Sequence, residues 1–228
     1  MDRGARLEEA LSEADLVFLS QTIGRILDTI RHVDGLLKPG ALVTDAGSTK
    51  CEIVDVARRS ISRAQFLGGH PMAGKETRGA SAADPELFRG KTWVLTPDDR
   101  AELQTAPARD FLQWLERIGA RTVALDADEH DRIVARTSHV PQLASTALAA
   151  VLADAPHLEV SGSGLADMTR LARSSYELWR DILATNSEHI DKALGVYIQE
   201  LEHIRENLRT RQLQEEFERG ARVSNRLR

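Results

Sequence analysis

The sequence predicts an α/β fold in two parts, a parallel-sheet domain over residues 1–126 and an all-α domain over residues 127–228. Up to Leu125, short apolar runs of strand length alternate with segments of helical periodicity, as in parallel strands joined by right-handed crossover helices. From Asp128 onward the strand signals disappear and the pattern is helical, apart from a break around residues 156–164. We therefore place the domain boundary after residue 126.

The strand candidates are short and apolar. The first, Leu16 to Leu19, is a continuous apolar run, which is typical of a strand buried on both faces. A helix with apolar residues at helical spacing follows and ends at Lys38-Pro39-Gly40. The later strand candidates are Ala41–Thr44, the run at Phe66, Trp93–Thr96 and Thr122–Leu125. Helices are predicted after the second strand and before the last one.

The last long helix has the clearest periodicity in the chain. Its apolar residues are spaced alternately by four and three: Ile190, Leu194, Tyr197, Leu201, Ile204 and Leu208. Such a stripe packs either within its own subunit or against a second copy of the chain. We expect the second arrangement, a symmetric homodimer formed through the C-terminal helices.

The composition is that of an ordinary globular protein. The chain has 228 residues, of which 42% are hydrophobic and 29% charged, and its net charge of −5 argues against a nucleic-acid-binding protein. The one cysteine, Cys51, cannot form an intramolecular disulfide. No run approaches the roughly 18 apolar residues that cross a bilayer, and no signal-peptide core is present. We expect a cytoplasmic protein.

One histidine stands between glycines and a proline. His70 lies in Gly68-Gly69-His70-Pro71-Met72-Ala73-Gly74, directly after the apolar pair at 66–67. This pattern predicts a strand that ends in a tight turn, and open α/β folds bind ligands at such strand ends. The segment is therefore either a structural turn or an active-site turn, with a side chain that titrates near neutral pH.

Three further segments carry polar side chains where strands or helices should begin or end. Asp45–Lys50 follows a strand and opens a helix, so Ser48 is either a helix cap or an anion ligand. Thr137–Gln142 opens an apolar helix. Arg170 stands among apolar neighbours, where its guanidinium is either paired within the protein or able to bind a carboxylate.

Several signals of other chemistries are missing from the sequence. It has no Cys-x-x-Cys and no His-Glu-x-x-His, and its seven histidines lack metal-ligand spacing, so we expect no metal site. Gly162-Ser163-Gly164 begins like a dinucleotide fingerprint, but Asp167 stands where the third glycine belongs. No Gly-x-Ser-x-Gly nucleophile motif occurs.

Taken together, the segments resemble the prephenate/arogenate dehydrogenase family of tyrosine biosynthesis. The matching pieces, in order, are Thr44–Lys50, Gly69–Gly74, Leu87–Gly90, Glu129–Asp131, Ser138–Pro141, Asp167–Ala172, Trp179–Ile182 and Asn186. They extend over nearly the whole chain. His-Pro-Met-Ala-Gly is the most specific of them.

The resemblance implies an enzyme that removes hydride and CO₂ from a cyclohexadienol, either prephenate or arogenate. The family's catalytic histidine falls on His70, which would accept the proton of the ring hydroxyl, and its motif serine falls on Ser48, which would orient the substrate. Arg170 matches the arginine that binds a substrate carboxylate. The resemblance places the other substrate-binding residues at Lys75, Ser138, His139, Gln142, Asp167 and Trp179. Some members have histidine at the position of Gln142, which leaves the choice of substrate open.

The resemblance also implies NAD or NADP as cofactor, with Gln21, Thr22 and Gly47 beside it. The family begins with a strand, a Gly-x-Gly-x-x-Gly turn and a second strand that hold the pyrophosphate, and these are not in this sequence. We therefore expect an incomplete Rossmann-like domain followed by a helical dimerisation domain. The leading hypothesis is the dehydrogenase. The alternative is a truncated, non-catalytic dimerising homologue that cannot bind the dinucleotide.

Overall fold

A five-stranded sheet with helices on both faces forms the first part of the chain, and a group of helices forms the second. The computed structural model describes residues 6–74, 80–210 and 212–227. The strands are β1 (Leu16–Leu19), β2 (Leu42–Asp45), β3 (Gln65–Pro71), β4 (Thr92–Thr96) and β5 (Arg121–Ala124). The helices of this part are α1 (Leu7–Glu13), α2 (Ile23–Val33), α3 (Cys51–Ser60) and α4 (Ala106–Arg117).

The sheet has the strand order β1-β2-β3-β4-β5, and one pairing departs from the predicted parallel arrangement. The pairs β1/β2, β2/β3 and β4/β5 are parallel, whereas β3 and β4 are antiparallel. A parallel crossover needs a long connection, usually an α-helix. The described part of residues 72–91 contains the 3-10 turn Ala80–Ala82 but no α-helix. The chain therefore returns along β4 in the opposite direction.

The prediction that the first strand is buried on both faces is wrong. Val17 and Leu19 are buried, but Leu16 and Phe18 are each 40% exposed. In the described sheet β1 is an edge strand, and α1 and α2 pack against one of its faces. Leu16 to Leu19 therefore alternates between a buried and an open face, although all four residues are apolar.

Two apolar clusters pack against the sheet and hold it between helices. The first joins β1 and β2 to the inner faces of α2 and α3, with Ile26, Ile30 and Ile53 fully buried in it. The second joins β2, β3 and β4 to α4 around Trp93, which is 1% exposed and contacts Phe111 edge-on. This arrangement of helices on both faces of a sheet is the α/β fold that the sequence predicts.

The regular elements described after Asp126 are all helical. The helices are α5 (Ala127–Val134), α6 (Val140–Val151), α7 (Ser163–Thr169), α8 (Tyr176–Thr185), α9 (Ser187–Asn207) and α10 (Gln214–Arg226). A π-helical turn, Ala135–His139, joins α5 to α6, and a 3-10 turn, Arg170–Arg173, follows α7. The Asp126 side chain caps α5 by accepting the Glu129 N–H at 2.7 Å. The division into 1–126 and 127–228 stays a prediction.

The apolar stripe of α9 is divided between two environments. Ile190 is buried, and Leu194 and Tyr197 pack against the same cluster inside the chain. Further along, Leu201 and Leu208 are 47% and 67% exposed. The first half of the stripe therefore belongs to the core of the helical part, and the second half is open in the single chain. Within the described ranges, no helix is both long and apolar enough to cross a membrane.

Contacts from α8 join the helical part to the sheet part. The Asp181 carboxylate accepts the Gly24 N–H at 3.0 Å in the first turn of α2, where Thr22 makes no side-chain cap. Ile182 enters the apolar cluster under α2, and the Thr185 and Thr49 hydroxyls lie 2.7 Å apart. These contacts fix α8 against the loops that follow β1 and β2.

We expect the Asp181 cap to contribute measurably to the free energy of unfolding. Asp181→Ala should lower the free energy of unfolding by about 1 kcal/mol, because the substitution removes a carboxylate from a helix N-terminus and leaves an N–H without its partner. Chemical denaturation monitored by circular dichroism measures this difference. The control is Asp191→Ala on the exposed side of α9, which should change stability by less than about 0.5 kcal/mol. Equal losses in the two variants would contradict the assigned cap.

Candidate active site

The polar segments at residues 45–50 and 68–74 meet at one edge of the sheet. Strands β2 and β3 are parallel neighbours, so their carboxyl ends lie side by side. Ser48 is half-buried in the loop between β2 and α3, and His70 is the next-to-last residue of β3. Gly69 permits this close approach, because a Cβ at that position would lie 2.6 Å from the Asp45 carbonyl oxygen. Packing therefore requires glycine at position 69, and also at position 68, where a Cβ would lie 2.2 Å from the Thr96 Oγ1.

A line of hydrogen bonds runs from His70 into the helical part. The His70 Nδ1 lies 2.8 Å from the His130 Nε2, and the His130 Nδ1 lies 2.7 Å from the Asp131 Oδ1. His130 and Asp131 stand at the middle of α5 and are 1% and 0% exposed. The two imidazole rings meet edge-on, with centroids 5.1 Å apart.

The acceptor at the end of this line fixes the tautomers of both histidines. We assign them from the hydrogen-bond partners. An ionised Asp131 accepts a hydrogen bond from the His130 Nδ1–H, and the His130 Nε2 then accepts one from the His70 Nδ1–H. The lone pair of a neutral His70 is then on Nε2. The arrangement leaves His70 with a basic nitrogen outside the line, as a general base requires.

Asp131 also binds the start of α3. Its carboxylate accepts the Lys50 N–H at 2.7 Å and the Cys51 N–H at 2.9 Å, and its backbone oxygen accepts from the Asn186 amide at 2.9 Å. Burial opposes ionisation of this carboxyl, but the hydrogen bonds from His130 and from the two N–H groups outweigh it and lower the Asp131 pKa. Asp131 is therefore a carboxylate at neutral pH.

Burial and neighbouring positive charge lower the pKa of His70 well below its ordinary value of 6.5. Burial is the largest cause, followed by the charges that His130, Lys50 and His139 carry when protonated. His70 is thus neutral at pH 7 and able to accept a proton.

A second histidine is buried beside this line. His139 is 1% exposed, its Nδ1 lies 3.2 Å from the Asn186 amide, and its ring meets Trp179 edge-on at 5.7 Å. Burial lowers the His139 pKa to about 4, although the nearby Asp131 charge acts in the opposite direction. His139 and Trp179 are both predicted to bind substrate. His139 thus lies next to Asn186, which binds the Asp131 backbone oxygen, and Trp179 lies next to His139.

Other predicted substrate-binding residues lie on the helices around this core. Ser138 is half-buried in the π-helical turn. Gln142 is buried on α6, where its amide donates to the Leu171 oxygen at 2.8 Å. Asp167 and Arg170 are exposed on α7 and on the turn that follows it, and neither belongs to the line from His70 to Asp131.

The residues predicted to contact the cofactor follow β1 and β2. Gln21 and Thr22 are exposed between β1 and α2. Gly47 is buried in the loop before Ser48, and its N–H donates to Asp45 at 2.7 Å. Lys75, the remaining predicted residue, lies outside the described residues.

Sequence reasoning assigned no role to His130, Asp131 or Asn186. His130 and Asp131 were visible only as part of a family motif, because Asp-Ala-Asp-Glu-His-Asp resembles the exposed acidic first turn of a helix. Their burial arises from the packing of α5 against the start of α3, which a linear pattern does not reveal.

A cavity of about 340 Å³ is lined by Cys51, Asp128, Asp131, Asn186 and His189, among others. The donor atoms of Cys51, Asp128 and His189 there are all within 4.8 Å of one another. Burial raises the pKa of the Cys51 thiol, and the carboxylates of Asp131 and Asp128 raise it further. The thiol is therefore protonated in the metal-free protein. His189 and Asp128 already contact each other at 3.0 Å.

Comparison with known proteins assigns the chain to a family. Residues 2–124 match the model described as prephenate dehydrogenase, nucleotide-binding domain, and residues 126–222 match the prephenate dehydrogenase dimerization domain. The chain belongs to the prephenate dehydrogenase family. A Rossmann-like domain followed by a helical dimerisation domain is thereby confirmed at the level of fold.

Two curated relatives and two solved structures show the extent of the similarity. Prephenate dehydrogenase of Lactococcus lactis is 33% identical over 82% of this chain and 53% of its own length. That of Bacillus subtilis is 31% identical over 90% of this chain and 56% of its own length. The chain thus spans about half the length of these relatives.

The structural matches cover more of both proteins. Prephenate dehydrogenase of Aquifex aeolicus, in complex with hydroxyphenyl propionate and NAD+, superimposes with a TM-score of 0.80 and 29% identity, covering 93% of this chain and 75% of that one. Synechocystis arogenate dehydrogenase gives a TM-score of 0.77 and 29% identity over 97% and 80%.

The buried His139 should make stability depend on pH. Its pKa is about 4 in the folded protein and 6.5 ordinarily, so the unfolded chain binds more protons between these values. The free energy of unfolding should be highest above pH 6.5 and fall as the pH decreases towards 4, with His139 contributing about 3 kcal/mol of the loss. Urea unfolding at a series of pH values measures the slope.

The variant His139→Gln should flatten that slope, because glutamine keeps an acceptor for Asn186 and does not titrate. The matched control is His32→Gln on α2, whose side chain is 73% exposed. An unchanged slope in His139→Gln, or an equal change in the control, would contradict the assignment.

Proposed function

We propose that this chain catalyses the oxidative decarboxylation of prephenate or arogenate, with hydride transfer to NAD or NADP. The observation that carries the proposal is the line from Asp131 through His130 to His70, which supplies a neutral base at the carboxyl end of the sheet. The family supports the reaction, since similar proteins are named prephenate, cyclohexadienyl and arogenate dehydrogenases.

His70 accepts the proton of the ring hydroxyl on its Nε2. Its Nδ1–H stays on His130, and the positive charge that develops on His70 is stabilised by Asp131 through His130. As the hydroxyl loses its proton, the ring carbon that carries this hydroxyl loses hydride. The departure of CO₂ then leaves an aromatic ring. A nicotinamide cofactor, when bound, accepts the hydride.

Ser48 lies at the neighbouring strand end and donates a hydrogen bond that orients the substrate hydroxyl towards His70. Arg170 binds a substrate carboxylate, for which its planar guanidinium is suited. We assign the remaining substrate contacts to Lys75, Ser138, His139, Gln142, Asp167 and Trp179. The matched motifs contain Ser138, His139, Asp167 and Trp179, and Lys75 and Gln142 directly follow matched segments.

The residues at the carboxyl ends of β1 and β2 fit a nicotinamide cofactor. Gln21 and Thr22 are exposed there. Gly47 allows the loop to pack closely, since a Cβ at this position would lie 2.4 Å from the Ile53 Cδ1 and 2.8 Å from the Asp45 Oδ2. Open α/β sheets bind dinucleotides at this edge. We assign Gln21, Thr22 and Gly47 as the residues that would hold the cofactor near His70.

We further propose that the chain forms a homodimer through its helical part. The matched family model is described as a dimerization domain. Apolar side chains on α9, at its C-cap and on α10 are exposed in the single chain, among them Leu201, Leu208 and Phe217. A second copy of the same surface would cover them.

The test of the base is His70→Asn, which keeps an Nδ2–H for His130 but cannot accept a proton at the position of Nε2. We expect kcat to fall by about 10²- to 10⁴-fold. NADH or NADPH formation with prephenate and with arogenate measures the rate, and His32→Asn on the exposed face of α2 is the control. Equal rates in His70→Asn and the parent would exclude His70 as base. Substrate binding without turnover in the parent protein would favour the non-catalytic alternative.

The test of the dimer is the double variant Leu201→Glu with Leu208→Glu. Two charges placed on the exposed half of the α9 stripe should convert the dimer to a monomer, because each would have to be desolvated in the interface. Light scattering after size-exclusion chromatography measures the mass. Leu7→Glu on α1, at a side chain that is 65% exposed, is the control and should stay dimeric. A parent monomer or a dimeric double variant would contradict the proposed interface.

A further inference from the structure

A buried ion pair lies beside the candidate active site and has no part in the proton transfer described above. Lys50 and Asp45 are both 0% exposed, and the Lys50 ammonium donates to the Asp45 Oδ2. Lysine and aspartate are almost never fully buried unless they are paired. Buried ion pairs are also weak contributors to stability, since desolvation offsets their attraction. A contribution to stability therefore does not explain why this pair is buried beside the site.

The Asp45 carboxylate binds both segments that carry the proposed catalytic residues. Its Oδ2 accepts the Gly47 N–H at 2.7 Å, one residue before Ser48. Its Oδ1 accepts the Gly69 N–H at 3.0 Å, one residue before His70. One side chain thus fixes the distance between the two loop segments.

Lys50 binds the same residue, Gly69, through its other backbone polar group. Its ammonium donates to the Gly69 carbonyl at 2.7 Å, so both polar groups of Gly69 bind the ion pair. The regular pairing of β2 with β3 ends at Thr44 and Leu67. Beyond that point the ion pair connects the two segments through its hydrogen bonds to Gly69. The backbone N–H of Lys50 binds Asp131, which links the pair to the other end of the histidine line.

We propose that the Lys50–Asp45 ion pair is a positioning device for the reaction, which sets His70 relative to Ser48 and to His130 by clamping the Gly69 peptide. The inference rests on the proposed function, since it concerns the same site. Lys50 and Asp45 act through Gly69 and Gly47 and do not touch the substrate.

The charge of Lys50 adds a second effect that a purely structural role would not produce. Among the described residues, the titratable groups that face His70 are His130 and His139 from the helical part and Lys50 from the loop after β2. Asp131 and Asp45 are bonded to His130 and to Lys50 respectively. Of these three groups, Lys50 is the one that is not a histidine, so its positive charge does not depend on the protonation of an imidazole ring. Removing it should raise the pKa of His70.

The experiment uses the double variant Asp45→Asn with Lys50→Met, which removes both charges together and leaves no unpaired ion in the interior. Methionine keeps the length of the lysine stem but cannot donate to Gly69. The matched control is Asp15→Asn with Lys38→Met, an exposed pair of the same kind at 2.6 Å. Circular dichroism and thermal unfolding establish that each variant is folded.

Two measurements on ¹⁵N-labelled full chain decide the question without turnover. Imidazole NMR, with His70 assigned through His70→Asn, should show a higher titration midpoint in the double variant, because Lys50 is among the charges that lower the His70 pKa and Asp45 is not. Hydrogen exchange of the Gly69 amide should be faster, and kcat should fall by about 10- to 100-fold with a smaller change in KM. The control should match the parent protein in all three.

A folded double variant with the His70 midpoint and the Gly69 exchange of the parent would overturn the proposal. If the double variant does not fold, exchange in the parent decides: the Gly47 and Gly69 amides bind one carboxylate and should be protected together. Exchange of either at the rate of a solvent-exposed amide would overturn the proposal. A parent without turnover would contradict the proposed function and leave these NMR outcomes to decide the inference.

Discussion

The rest of the site depends on the hydrogen bonds that the Asp131 carboxylate accepts. It comes from α5 in the helical part, and its oxygens bind the first N–H groups of α3 in the sheet part and the imidazole of His130. Helix N-termini favour negative charge, so this carboxylate is stabilised where it also fixes the tautomer of a histidine. The two parts of the chain are therefore joined at the same atoms that orient the proposed base.

A consequence is that the site cannot be assigned to either part alone. His70 and Ser48 follow strands of the sheet, whereas His130, Asp131, His139 and Asn186 stand on the helices. Asp181 reaches back to the first turn of α2 in the same manner, so carboxylates from the helical part bind the N-termini of both helices that follow β1 and β2. The resulting rigidity is what a proton acceptor needs, because catalysis depends on a fixed geometry.

The strands and the position of His70 could be predicted from the sequence because they depend on local patterns. Short, mostly apolar runs marked the strands, and Gly68-Gly69 before His70-Pro71 marked the strand end. The direction of β4 could not be predicted, since it depends on what the connection from β3 contains. The open face of β1 was also missed, because an apolar run alone does not show whether a strand lies at an edge.

The buried charges could not be predicted for a related reason. Lys50, Asp45 and Asp131 are residue types that normally face water, and each is buried because a specific partner from elsewhere in the chain satisfies it. Asp131 and Lys50 are 81 residues apart along the chain. The family motifs indicated that these positions matter, but only the packed structure gives the reason.

The π-helical turn at Ala135–His139 determines which way the start of α6 faces. Each residue of an α-helix advances the side chain by about 100°, so eight residues would leave positions 131 and 139 about 80° apart around the axis. A single π turn accommodates one extra residue and reduces that angle to about 20°. The His139 side chain then reaches Asn186, whose amide also binds the backbone oxygen of Asp131. The rotational phase of α6, and with it the direction of Ser138 and Gln142, is thus set by one additional residue in the helix before it.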